Sequence, residues 1–121
     1  MIPQNKERIR KMLLFANDVS EMSVNITLDR LETDKSYQYS LLYPLGQIGE
    51  LAIKLDESYH CDNKHLDKIY PLIEWADWRG FRNRVFHDYG TINFTIVLEM
   101  IEEAIPLLIS GLTALQKELK D

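Results

Sequence analysis

Leu41-Leu42-Tyr43-Pro44-Leu45-Gly46-Gln47-Ile48-Gly49-Glu50-Leu51-Ala52-Ile53-Lys54-Leu55 is the stretch that decides the fold. Leu41, Leu45, Ile48, Ala52 and Leu55 recur at steps of three and four. That is the spacing of one buried helix face, whereas a half-buried strand would alternate every second residue. The pattern predicts a long helix from about Asp34, whose carboxylate can cap it, to Tyr59. Pro44 falls inside it, without an N–H and with a ring that crowds the preceding turn. A kink, or a break into two helices, is expected there. Gly46 and Gly49 offer room for a second helix to pack closely.

Outward from this helix the same periodicity returns. Ile9, Met12, Leu13, Ala16 and Val19 mark one face of a helix from about Asn5, read as its N-cap, to about Met22. A short helix over Ile26–Leu31 can be capped by Thr27. His60–Lys68 is polar and reads as a loop. A fourth helix is expected from near Pro71 to near His87, with Gly90 as its stop. Ile96, Val97, Met100, Ile101, Ala104, Leu108 and Leu112 form the broad apolar face of a last helix, Asn93 to Lys117, bent by Pro106. The expected architecture is all-α: an antiparallel bundle of about five helices, one domain over residues 1–121.

Composition narrows the function classes. The 121 residues are 45% hydrophobic, as in globular proteins, and no apolar run approaches the roughly 20 residues that span a bilayer. The N-terminus lacks an apolar signal core, so a cytoplasmic protein with no membrane partner is expected. Cys61 is the single cysteine, so no intramolecular disulfide can form. His60-Cys61-x3-His65 lacks the paired ligands of a structural zinc site and reads as part of the polar loop; no metal or cofactor is expected. A net charge of −5 argues against a protein that coats nucleic acid by bulk charge. An enzyme that grips a few phosphates with a local basic cluster remains compatible.

Such a cluster exists. Residues 78 to 90 read Trp-Arg-Gly-Phe-Arg-Asn-Arg-Val-Phe-His-Asp-Tyr-Gly, with Arg79, Arg82, Arg84 and one aspartate, Asp88. On a helix, Asn83 and His87 would share a face, and Arg84 and Asp88 could pair. Arg82, five residues before His87, would stand off that face unless the helix frays. The residue types suit RNA cleavage without a metal. Imidazole can take or give a proton near neutral pH. Guanidinium grips phosphate through a planar fork and stabilises the charge of a phosphorane. The RNA 2′-hydroxyl can be the internal nucleophile. Arg and His at a helix C-terminus are also what the helix dipole favours. From the residues alone, a capped helix end and a catalytic site both stay open.

Arg82-x4-His87-x-Tyr89 resembles the Arg-x4-His-x-Tyr signature of HepT toxins, which belong to the HEPN superfamily of helical ribonuclease domains. Ile48-Gly49-Glu50-Leu51-Ala52 is similar to the family's central-helix stretch, and Trp78-Arg79-Gly80-Phe81-Arg82-Asn83 to its lead-in. Tyr89-Gly90-Thr91-Ile92-Asn93 and Ile105-Pro106-Leu107-Leu108 match further on. Pro44 and Leu51 depart from the pattern, in packing positions only. The resemblance implies a homodimer whose two motifs form one composite cleft. Arg82 and His87 would be catalytic, with Asn83, Arg79 and Arg84 supporting or binding RNA. It further implies a type VII-like toxin–antitoxin pair, in which an MntA-like nucleotidyltransferase antitoxin AMPylates Tyr89. The added phosphate would occupy the charge that RNA needs.

Two readings of other classes compete. The bundle could be a non-catalytic partner of a nucleotidyltransferase that binds nucleotide or presents a substrate. It could also be a structural dimerisation domain, with the first helix and Tyr37, Tyr39 and Tyr43 as partner surface.

Overall fold

Pro3 opens helix α1 (Pro3–Met22), where a missing N–H costs nothing. The computed structural model describes residues 3–61, 65–86 and 91–119. Because the helix starts at Pro3, Asn5 lies inside it and is not the N-cap. Its side chain is buried, donates to Ser58 Oγ at 2.8 Å and accepts from Arg8 at 2.8 Å. An amide in the core is tolerated because both ends are satisfied.

After α1 the chain turns through Asn25, whose φ of 62° is a left-handed conformation that asparagine accepts more readily than most residues. Helix α2 (Leu28–Thr33) follows, two residues later than the sequence suggested. Thr27 is its cap, and its hydroxyl accepts from Arg30 N–H at 3.1 Å. Asp34 then caps helix α3 (Lys35–Cys61) by accepting from Tyr37 N–H at 3.1 Å. Pro44 does not break α3. The carbonyl that loses its partner belongs to Ser40, which is exposed, so water can satisfy it. Tyr37 is core and not partner surface: it is buried, its hydroxyl donates to Met22 O at 2.9 Å, and Arg30 stacks on its ring. Tyr39 and Tyr43 stay exposed.

The polar segment after α3 is less open than its composition suggested. The helix runs through Cys61, and a short helix α4 (Leu66–Ile69) forms inside the presumed loop because Leu66 is drawn into the core. The expected fourth helix is also different. Pro71 forces Tyr70 out of the helical region, to φ −130° and ψ 71°. Residues 70–74 therefore form a turn, and helix α5 (Trp75–Arg79) starts only at Trp75. Gly80 sits at φ −90°, ψ 12° and separates α5 from helix α6 (Phe81–Val85).

Asn93 caps the last helical stretch, accepting from Ile96 N–H at 3.2 Å. Helix α7 (Phe94–Glu99) passes through a π-helical turn, Met100–Ala104, into helix α8 (Ile105–Glu118). The response to Pro106 is this local widening in the turn before it, which relieves the clash with the carbonyl four residues back.

The described residues form no strand; one isolated antiparallel bridge joins Phe86 to Ile92. α1 packs between α3 and α8, and the far half of α3 supports α5 and α6. Ile9, Met12, Ala16 and Val19 of α1 meet Leu41, Leu45, Ile48, Ala52 and Leu55 of α3 and Leu108 and Leu112 of α8 in one continuous core. The all-α reading holds, with more and shorter segments between α3 and α7 than five helices allow.

Candidate functional site

Trp75, Trp78, Phe81 and Val85 are all buried, so α5 and α6 present one apolar stripe inward despite the break at Gly80. The rings of Trp78 and Phe81 stack across that break, 6.5 Å apart. Trp75 donates its indole N–H to Tyr70 O at 3.0 Å and so ties α5 to the preceding turn. Gly49 lets α3 approach closely: a Cβ there would stand 2.8 Å from the Trp78 carbonyl oxygen. With the stripe facing inward, Arg82 and Asn83 must face outward, and both are exposed.

Between α3 and the α5–α6 corner lies a cleft of about 210 Å³, lined by Gly46, Gly49, Glu50 and Ile53 on one side and Trp78, Arg79, Phe81, Arg82 and Asn83 on the other. Three of the site residues expected from sequence, Arg79, Arg82 and Asn83, therefore share one cleft. A larger cleft of about 530 Å³ lies elsewhere, between the start of α1 and the end of α8. It holds none of the motif residues.

The structure separates the three arginines. Arg79 lies between two carboxylates, 3.4 Å from Asp56 of α3 and 3.3 Å from Asp67 of α4. Arg84 lies 3.5 Å from Asp77 of α5. Glu74, next to that pair, has its carboxyl pushed above the ordinary range, first by desolvation and then by a hydrogen bond and like charge from Asp77. Arg82 makes no ion pair or hydrogen bond with another described side chain. Among the described residues the run's positive charge is thus left open at Arg82, because Asp56, Asp67 and Asp77 pair with its neighbours. A guanidinium and an amide on adjacent exposed positions can together bind an oxyanion through several N–H donors.

Helix α6 ends at Val85, and Phe86 is extended at φ −93°, ψ 126°. The expected fourth helix is thus interrupted at Phe86, before His87; the face that Asn83 and His87 were expected to share lies outside the described residues. The interruption reflects competition: Val85 O accepts from Asn93 N–H at 2.8 Å, and Phe86 bridges to Ile92. His87, Asp88, Tyr89 and Gly90 lie outside the described residues. So do the expectations placed on them, including the Arg84–Asp88 pair and the stop at Gly90.

His60 and His65 meet edge to face with ring centres 4.9 Å apart, and His60 lies 3.8 Å from Asp56. Among the described residues no group of three or more His, Cys, Asp or Glu side chains is placed to hold a metal ion. Nor is any of their helices long and apolar enough to cross a membrane.

Sequence reasoning missed Glu50, Asp56, Asp67 and Asp77. Asp56 had a usable signal: it lies seven residues, two turns, beyond Gly49 on a helix that the glycine marks as closely packed, whereas Glu50 is only its chain neighbour. Asp67 had none, since it reaches Arg79 only through the fold.

The family model described as HepT-like, Ribonuclease HepT-like, matches residues 9–115. A Methanocaldococcus jannaschii protein named "Putative RNase MJ1380" is 28% identical over 91 residues, 75% of this chain and 77% of that one. A second from that organism, "Putative RNase MJ0127", is 26% identical over 89 residues, 74% of this chain and 68% of its own. The Thermococcus cleftensis protein named "Probable ribonuclease HepT" is 21% identical over 99 residues, 82% of this chain and 84% of its own. No solved structure matches the chain.

Proposed function

The chain belongs to the HepT-like ribonuclease family, and we propose that it is an endoribonuclease toxin of a type VII-like toxin–antitoxin pair, one domain per chain, acting as a cytoplasmic homodimer. The observation that carries this reading is the state of Arg82. It is exposed at a cleft beside Asn83, while Arg79 and Arg84 are occupied by carboxylates. A guanidinium at a cleft with no ionic partner among the described residues suits a phosphodiester.

In this reading RNA phosphate lies on Arg82, with Asn83 as a second donor. His87 takes the proton of the 2′-hydroxyl, whose oxygen bonds to phosphorus. The bond from phosphorus to the 5′-oxygen breaks, and that oxygen receives a proton from an acid, for which the second His87 of a dimer is the candidate. Arg82 stabilises the extra charge of the phosphorane. No step calls on a metal or cofactor. Tyr39 and Tyr43 on α3, with Glu50 further along, continue at helical spacing toward the cleft. Self-association on that exposed aromatic strip would bring a second copy beside Arg82. Tyr89 is the regulatory position: AMP transferred to it by an MntA-like antitoxin adds a phosphate that competes for Arg82.

The test is RNA cleavage by purified, unmodified protein in EDTA. The wild type cuts; Arg82→Ala and His87→Ala each lose about 100-fold or more in rate while keeping the wild-type circular dichroism. Equal cutting by all three removes the assignment. A wild type that is inert and co-purifies with nucleotide supports instead the non-catalytic partner of a nucleotidyltransferase. Intact mass after co-expression with the antitoxin, compared with Tyr89→Phe, reads the AMP.

A further inference from the structure

Arg79 stands in the same basic run as Arg82 and lines the same cleft, so by sequence it reads as a second phosphate ligand. Its surroundings suit another role. Its two guanidinium nitrogens reach different elements, one to Asp56 Oδ1 on α3 at 3.4 Å and the other to Asp67 Oδ2 on α4 at 3.3 Å. Its side chain is 25% exposed, and that of Asp56 is 23% exposed, so this pair is partly shielded from solvent. One positive charge between two negative ones leaves the trio net negative. An incoming phosphate would have to displace a carboxylate and then face both. Asp56 is also the carboxylate 3.8 Å from His60, so it already has a second neighbour.

The mechanical position is more telling. α5 and α4 have five and four residues, too short to be stable alone. Trp75 and Trp78 anchor α5 in depth. Arg79 is the side chain that ties its last residue sideways to both α3 and α4. Directly after it come Gly80, whose carbonyl accepts from Arg84 N–H at 2.9 Å, and the helix that carries Arg82. The direction in which α5 ends is therefore the direction in which α6 begins.

We propose that Arg79 is a positioning residue for the nuclease reaction: it clasps α5 to Asp56 and Asp67 and so sets where Arg82 stands in the cleft. The proposal rests on the ribonuclease reading above, with Arg82 as the phosphate-gripping group. A corollary is that Asp56 and Asp67, behind Arg79, make that side of the cleft repel the RNA backbone, which then approaches from the Arg82–Asn83 side.

Three variants test this: Arg79→Ala, Arg79→Lys and Asp67→Asn. For a positioning residue, Arg79→Ala lowers kcat about tenfold with KM little changed, short of the loss for a group on the reacting phosphate. Arg79→Lys, which can keep one ion pair, recovers part of it. Asp67→Asn lowers kcat in the same direction although it removes a negative charge from beside Arg79. Binding of cleavage-resistant 2′-O-methyl RNA is measured against salt. The slope of log affinity on log salt stays at the wild-type value in Arg79→Ala. A slope reduced by about 0.7, the share of one phosphate contact on a single strand, makes Arg79 an RNA ligand and overturns the proposal. Tighter RNA binding by Asp67→Asn with kcat unchanged overturns it equally. If the wild type cuts no RNA, the nuclease reading fails, and hydrogen exchange then decides the clasp alone. Faster exchange at residues 66–70 in Arg79→Ala supports it; unchanged exchange overturns it.

Discussion

Gly46 and Gly49 lie one turn apart on α3 and line the same cleft, yet alanine at the two positions is expected to act in opposite directions. At Gly46 an added Cβ meets nothing within 4 Å. Gly46→Ala therefore changes only backbone entropy, and it should stabilise the fold by about 0.5–1 kcal/mol, the helix-interior difference between the two residues. At Gly49 the same Cβ meets the Trp78 carbonyl oxygen at 2.8 Å and Phe81 Cβ at 3.4 Å. The first is backbone and cannot rotate aside, so α5 must move away from α3. Overpacking of this kind costs about 1–3 kcal/mol, which exceeds the entropic gain in most of that range. The two variants should then differ by about 1–3 kcal/mol, the packing term alone, since the helix-propensity gain is common to both. Urea unfolding followed by circular dichroism reads the difference as a shift in midpoint at unchanged slope. Because the displaced carbonyl belongs to Trp78, two residues before the Gly80 corner, Gly49→Ala should also weaken RNA cleavage more than Gly46→Ala does. Equal stabilisation by both substitutions would refute the close approach of α3 and α5, and with it the cleft.

Two further outcomes follow from contacts near the site. Glu74 has its carboxyl raised above the ordinary 4.5 by desolvation and by Asp77, so its ionisation opposes folding. The folded state binds the proton more tightly, so stability falls as pH rises from about 4.5 upward; Glu74→Gln should raise Tm slightly at pH 7 and lose that advantage below pH 4.5. A Tm difference that does not vary with pH would contradict this. Trp75→Phe keeps most of the buried ring but removes the donor to Tyr70 O, at an expected cost of about 1–3 kcal/mol including the smaller volume. Chemical denaturation reads it, and a neutral result would mean that the indole bond does not hold the turn before α5.

Local sequence determined the long helices. The stripes of α1, α3 and α7–α8 repeat at three and four residues over five or more apolar positions, and such a pattern has one structural solution. Thr27, Asp34 and Asn93 cap as their side chains require, because a cap needs only atoms a few residues away. The Arg-x4-His-x-Tyr spacing pointed to the ribonuclease family for a similar reason, being contained in one short segment.

Tertiary structure decided what depends on distant partners. Asn5 is a buried amide because Ser58 stands opposite it. The described residues between α3 and α7 form three short helices because Leu66, Trp75, Trp78 and Phe81 each seek the core, and no periodicity near Pro71 or Gly80 resists the breaks. Helix α6 stops at Val85 because Asn93 takes its carbonyl. Most consequential is the sorting of the arginines. In sequence, Arg79, Arg82 and Arg84 are equivalent charges in one basic run. Only the fold brings Asp56 and Asp67 to the first and Asp77 to the last, across a glycine corner, and so leaves Arg82 facing the cleft. A charge is counted from the chain, but whether it is available to a ligand depends on which opposite charges the fold carries to within a few ångströms of it.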